Sequence, residues 1–97
     1  MLQDAADAMV ALGLKDAGYQ FVNSDDCWLL NNRTPSGDLI PDPAKFPAGL
    51  QATVSYIRAR GLQAGLYIAR GNHTCAGFMG ACGHEAHDAA WFVSNNM

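Results

Sequence analysis

Much that usually signals a function is missing from this chain. Lys and Arg total only 6 against 9 Asp and Glu, scattered over 97 residues for a formal charge of −3. Phosphate backbones are held by clustered positive charge, so nucleic acid is not an expected partner. No apolar run nears the ~20 residues that span a bilayer, and no membrane partner is expected. Met1–Asp7 has neither the basic start nor the apolar core of a signal peptide. Gly77, Gly80 and Gly83 recur every third residue without a dinucleotide or phosphate-loop pattern. No His flanks Cys27 as a plausible base, so a cysteine nucleophile is unsupported. Cysteines number 3, so they cannot all pair among themselves.

What is present points to a packed α/β chain. Hydrophobic residues make up 49% of the sequence, too many for a disordered tail, and the length allows one small domain. Apolar spacing predicts a helix over 3–16 with Ala5, Met9 and Leu12 on one face, capped by Gly18. Tyr19–Asn23 reads as a strand. Residues 29–47 hold all 4 prolines and read as irregular. Leu50, Val54 and Ile57 mark one face of a helix over 50–60 that stops at Gly61. Residues 62–68 read as a second strand, 71–83 as a Gly-rich loop, and a third helix begins near His84 or Glu85. The order α-β-α-β-α, with long connections after strands, implies parallel strands in a (β/α) barrel or doubly wound sheet. The chain opens as if inside a helix and ends one turn into the apolar stripe Trp91-Phe92-Val93, so sequence is expected on both sides.

In such folds ligands bind at the carboxyl ends of the strands. Asp25 and Asp26 stand there, beside Trp28. Carboxylates accept hydrogen bonds from sugar hydroxyls, and an indole can pack on the C–H face of the ring. The plainer alternative is a pair of turn acids capping backbone amides. Adjacent residues cannot flank one glycosidic bond, so the pair suits binding better than cleavage. Tyr67 ends the second strand and either lines the same cavity or packs as a rim tyrosine. Arg70 faces either cavity or solvent. Glu85 and Asp88, at the start of the last helix, suit its positive end and read as caps. A separate reading takes Cys75, Cys82, His84 and His87 as the ligands of a small zinc-stabilised binding module, although their spacing matches no familiar zinc pattern. Asn32-Arg33-Thr34 and Asn72-His73-Thr74 are glycosylation sequons.

Several segments taken together resemble one family. They are Leu12-Gly13-Leu14-Lys15-Asp16-Ala17-Gly18-Tyr19, Val22-Asn23-x-Asp25-Asp26-Cys27-Trp28, Pro41-Asp42-Pro43-x-Lys45-Phe46-Pro47-x-Gly49, Gly61-Leu62-x-x-Gly65-Leu66-Tyr67 and Gly71-Asn72-x-Thr74-Cys75-Ala76-Gly77. In order and spacing they resemble the α-galactosidases of glycoside hydrolase family 27, the melibiases, with the closely related α-N-acetylgalactosaminidases. The resemblance implies a (β/α)8 barrel followed by a β-sandwich domain. Residues 1–97 would be an N-terminal piece of the barrel, about two to three βα units, without the β-sandwich. It implies a retaining hydrolase of terminal α-linked galactose in oligosaccharides and glycolipids, working without a cofactor.

Asp25, Asp26, Trp28 and Tyr67 would then bind substrate. The catalytic nucleophile and acid/base would lie beyond Met97, so the chain alone is expected to be inactive. Cys27 and Cys75 would pair with cysteines outside the chain, Asn72 and Asn32 would carry glycans, and the full-length protein would be secreted or lysosomal and able to dimerise. Ser24, Ala69 and Arg70 depart from residues usual in the family. A non-catalytic carbohydrate-binding remnant is the remaining alternative.

Overall fold

The structure, a computed structural model, describes residues 1–97. Its elements are α1 (Leu2–Ala11), β1 (Phe21–Asn23), β2 (Leu29–Arg33), β3 (Leu39–Pro41), α2 (Leu50–Ala59), β4 (Gln63–Gly65) and α3 (Glu85–Ser94).

Helix α1 is shorter than its apolar spacing predicts. Leu12 N–H makes the last helical bond to Ala8 O, 2.9 Å, and Gly13 then turns left-handed at φ +76°. Glycine meets no steric cost there, so the chain leaves the helix. Gly18, at φ +106°, closes a separate turn in which Tyr19 N–H donates to Leu14 O at 3.1 Å. The early stop also moves the buried stripe. Ala6 is buried with Leu2 and Met9 beside it, and Leu12 is 75% exposed at the helix end. The expected Ala5–Met9–Leu12 face is therefore corrected to Leu2–Ala6–Met9. In α2 the expected face holds: Leu50, Val54 and Ile57 are all buried, and the chain turns at Gly61.

Strands β1 and β4 pair in parallel, with Phe21 opposite Gln63, Val22 opposite Ala64 and Asn23 opposite Gly65. Both are shorter than the apolar runs containing them. The stretch expected to be irregular contains an antiparallel hairpin, β2–β3, with Leu29 opposite Pro41 and Arg33 opposite Leu39. Thr34 closes its turn, its N–H donating to Asp38 O at 3.0 Å and its hydroxyl accepting from Asp38 N–H at 2.9 Å. Pro41 is tolerated because it ends an edge strand, where its missing N–H breaks no ladder. The chain is thus a mixed α/β unit with one parallel pair.

Two apolar clusters meet at α2. Leu50 and Val54 pack with Trp28, Leu29, Leu39 and Phe46, whereas Ile57 packs with Ala6, Val22 and Leu62. Each fully buried aliphatic side chain of this kind contributes about 1.5–3 kcal/mol relative to exposure. Helix α3 closes the first cluster with aromatics. Trp91 stacks on Trp28 at 5.8 Å between centroids and 25° between planes, and Phe92 stands nearly perpendicular to Trp91 at 5.6 Å. Offset and edge-on pairs of this kind suit the ring quadrupoles. Asp88 takes no part in capping α3. Its carboxylate is buried and receives two bonds from Arg33 at the end of β2, 2.5 and 2.8 Å.

Candidate functional site

Strand β1 places both acids. Ser24 N–H still donates to Gly65 O at 2.9 Å, extending the ladder by one residue before the chain turns away. Asp25, Asp26 and Cys27 make that turn, with Cys27 left-handed at φ +67°. Tyr67 emerges two residues past β4 on the same edge, and its hydroxyl donates to Asp25 Oδ1 at 3.1 Å. The same oxygen accepts from Asp26 N–H at 2.8 Å. Asp25 is exposed, and its Oδ2 has no partner in the chain.

Asp26 is held from both sides. Its Oδ1 accepts from Cys27 N–H at 2.7 Å and its Oδ2 from Ala76 N–H at 3.0 Å. Its carboxyl lies below the ordinary 3.8. The Thr74 hydroxyl beside it is the main cause, helped by the Ala76 and Cys27 amides and the Lys45 charge, against an opposing effect of burial. Donors that bond the charged form favour it. Lys45 reaches the same turn, its Nζ donating to the Cys27 carbonyl. Tyr67 is shifted the other way, above the ordinary 10.0, by burial first, then by its bond to Asp25 and the nearby charges of Asp26, Asp25 and Cys75. It therefore remains a hydroxyl donor at neutral pH.

The result is an acceptor wall: two carboxylates, one with a free oxygen, and a tyrosine hydroxyl. A general acid needs its proton held up toward the working pH. Asp26 is shifted in the opposite direction, so it suits hydrogen-bond acceptance rather than proton donation.

The indole expected to pack on a ligand is withdrawn from this wall. Trp28 is 1% exposed, faces Trp91 and Phe92, and donates its Nε1–H to Tyr67 O at 2.8 Å. Here it orients the backbone of Tyr67 instead of offering a ring face. Arg70 is exposed, and its charge falls on Glu85. Glu85 accepts from Gly83 N–H at 3.1 Å and from its own N–H, and these bonds hold its carboxyl below the ordinary value. Glu85 thus stands at the helix start as expected, but its bond is to the turn before α3, whose N-cap His84 makes no side-chain cap bond.

The zinc reading fails on geometry. No group of three His, Cys, Asp or Glu side chains is placed to hold a metal ion. His87 instead bonds Asp38 Oδ1 at 2.8 Å, and Cys75, Cys82 and His84 are exposed without converging. Cys27, Cys75 and Cys82 are all free thiols within the chain. Asn32 and Asn72 are exposed on their sequons.

The roles of Thr74 and Ala76 escape a reading of the sequence. Thr74 is buried inside a small hairpin, with His73 bridged to Met79, whose tip presents the Ala76 amide to Asp26. The one available signal was a threonine set in an otherwise glycine-rich loop. A cavity of about 860 Å³ runs along the β1–β4 pair between Phe21, Leu62, Leu66 and Phe92. It includes neither acid nor Tyr67.

Comparison with known proteins points one way. A family model described as alpha galactosidase A matches residues 1–97. An alpha-galactosidase of Cyamopsis tetragonoloba is 44% identical over 95 residues, covering 97% of this chain and 23% of that protein. The crystal structure of alpha-galactosidase I from Mortierella vinacea superimposes with a TM-score of 0.95 at 42% identity, covering 99% of this chain and 24% of that one. The alpha-galactosidase of Saccharomyces cerevisiae with raffinose superimposes with a TM-score of 0.93 at 38% identity, covering 99% and 21%. The chain spans about a fifth to a quarter of the length of these relatives.

Proposed function

Because the chain belongs to the alpha galactosidase A family, we propose that it forms part of the galactose-binding wall of a retaining α-galactosidase acting on terminal α-linked galactose. On this reading residues 1–97 are the early part of a (β/α)8 barrel, with β1 and β4 as two of its parallel strands. The observation that carries it is the bond between Tyr67 and Asp25, 42 residues apart, which joins the ends of two parallel strands in one acceptor wall.

Asp25 and Asp26 accept hydrogen bonds from the sugar hydroxyls, and Tyr67 orients Asp25. Trp28 supports the wall from behind. The nucleophile and the acid/base come from outside these residues, because a retaining pair sits about 5–5.5 Å apart across the sugar and both acids here are committed as acceptors. Cys27 and Cys75 pair with cysteines outside the chain. Asn72 and Asn32 are open to glycosylation in a secreted or lysosomal protein.

The test is titration of the 97-residue chain with galactose, followed by tryptophan fluorescence. Trp28 bonds the backbone of Tyr67, so it reports on the wall. A saturable change with galactose, absent with glucose and weakened in Asp25→Asn, supports the reading. No saturable change counts against a formed sugar wall in this chain. Hydrolysis of an aryl α-galactoside by the chain alone overturns the division between binding and catalytic parts.

A further inference from the structure

The tip of the 72–80 hairpin meets the site where the Ala76 amide bonds Asp26 Oδ2. What fixes that tip is a single residue, Thr74, through two backbone bonds and one to its side chain. Thr74 N–H donates to Phe78 O at 2.7 Å, and Thr74 O accepts from Gly77 N–H at 3.0 Å. The Thr74 hydroxyl accepts from Phe78 N–H at 3.1 Å. These three bonds enclose Cys75, Ala76 and Gly77 and leave the Ala76 amide facing outward to the carboxylate. Thr74 is only 9% exposed, although its neighbours Gly71, Asn72, His73, Cys75, Ala76 and Gly77 are all exposed. A hydroxyl accepts and donates at once. With its acceptor side taken by Phe78, its proton is free for the neighbouring Asp26.

We propose that Thr74 is a positioning residue for the acid pair: it frames the turn that aims the Ala76 amide at Asp26 and so fixes that carboxylate in the sugar-facing wall. The proposal rests on the sugar-binding reading for its functional meaning, but its geometry stands without it. Two features separate it from a purely structural role. The hydroxyl, not the methyl, is the group required. The effect must also appear at Asp26, on a different strand end.

Other titratable groups face Asp26. Asp25 and Cys27 flank it in the β1 turn, Lys45 reaches from the segment before α2, Tyr67 comes from beyond β4, and Cys75 lies in the hairpin itself. None of them is itself replaced by a change at Thr74, so the substitution removes only what the Thr74 hydroxyl supplies, its bond from Phe78 N–H and its own effect on Asp26.

The experiment follows the carboxyl carbon of Asp26 by NMR against pH in the 97-residue chain and in Thr74→Val and Thr74→Ser. Valine keeps the shape and removes the hydroxyl, whereas serine keeps the hydroxyl. The expected result is that Thr74→Val moves the Asp26 midpoint up toward the ordinary carboxylate range and Thr74→Ser leaves it in place, with the Trp28 indole signal unchanged in both. An unmoved midpoint in Thr74→Val, or an equal move in Thr74→Ser, overturns the proposal.

A second measurement needs no variant. In the unaltered chain the Ala76 amide proton should shift with pH at the same midpoint as Asp26, and an amide that ignores that titration also overturns it. Galactose titration of the same samples separates the two readings. Loss of sugar binding with an intact Thr74 effect removes only the sugar reading.

Discussion

Arg33 and Asp88 form a nearly buried ion pair that ties the hairpin to the last helix. The guanidinium donates to both carboxylate oxygens, at 2.5 and 2.8 Å, and its other bonds reach Gly37 O and Gly80 O. Asp88 is 2% exposed and the Arg33 side chain 12%. The pairing holds the guanidinium firmly charged, its pKa raised above the ordinary value chiefly by the bond to Asp88.

Removing either partner should be severe. Asp88→Asn or Arg33→Met leaves one buried charge unpaired, which costs about 3–5 kcal/mol. Whole domains are stable by only about 5–15 kcal/mol, so either variant should be largely unfolded under mild conditions. Replacing both, with Arg33→Met and Asp88→Leu, should recover most of the loss because neither charge is left behind. Urea denaturation of the three variants checks this. A double variant no better than the singles would contradict it.

Acid should destabilise the chain in a defined window. Asp7, Asp26 and Glu85 all lie below their ordinary values. For Asp7 the leading cause is the Tyr56 hydroxyl, with Arg60 also bonding and attracting it. A depressed carboxylate means the unfolded chain binds more protons at that pH, so stability rises with pH there. The contribution is complete above the ordinary values of 4.5 for Glu85 and 3.8 for Asp7 and Asp26, and is lost as pH falls through the lower folded values. Tyr56 and Tyr67 are raised above 10.0, so the folded chain holds their protons longer and stability falls as pH rises past that point. Thermal melts against pH should show both limbs. Asp7→Asn should flatten the acid limb, and an acid limb unchanged by that substitution would contradict the assignment.

The elements visible in the sequence were those set by local periodicity. Leu50, Val54 and Ile57 repeat at helical spacing, and α2 buries all three. The apolar segments on either side of α2 pair in parallel, and Asp25 and Tyr67 meet at the edge where a parallel sheet displays its ligands. What stayed hidden depends on contacts between distant residues. The hairpin Leu29–Pro41 has no alternation, since Leu29-Leu30 is followed by Asn31-Asn32-Arg33, and its prolines argued against strands. Asp88 looked like a helix-start acid because its partner lies 55 residues away. Trp28 looked like a sugar platform because the aromatics that cover it, Trp91 and Phe92, belong to α3. Leu12 satisfied a helical spacing that Gly13 cuts short.

Thiol chemistry should separate the three cysteines. Each is free within the chain, Cys75 and Cys82 are exposed, and Cys27 is half-buried in the site turn. Reactivity requires access of the reagent to the thiolate. Ellman's reagent should titrate three thiols in denaturant, but two quickly and one slowly in the native chain. Cys27→Ser should remove the slow phase. Fewer than three thiols in denaturant would reveal a bond that the structure does not contain.

Trp28 and Asp25 should part stability from recognition. Trp28 fills the core beside Leu29 and Val54 and loses its indole bond to Tyr67 on truncation, so Trp28→Ala leaves a large void and an unpaired Tyr67 carbonyl. Large-to-small aromatic substitutions in cores cost about 3–5 kcal/mol. Asp25 is exposed, and asparagine preserves an acceptor for Tyr67, so Asp25→Asn should change stability by less than about 0.5 kcal/mol. On the sugar-binding reading the same substitution removes a charged acceptor from the wall, and hydrogen bonds to charged groups contribute about 1.5–3 kcal/mol. Galactose affinity should therefore drop by roughly ten- to a hundred-fold in Asp25→Asn while the melting curve stays in place. Denaturation and galactose titration on both variants measure the two effects. An Asp25→Asn chain that melts early, or that binds galactose as tightly as the parent, would return Asp25 to the role of a turn acid.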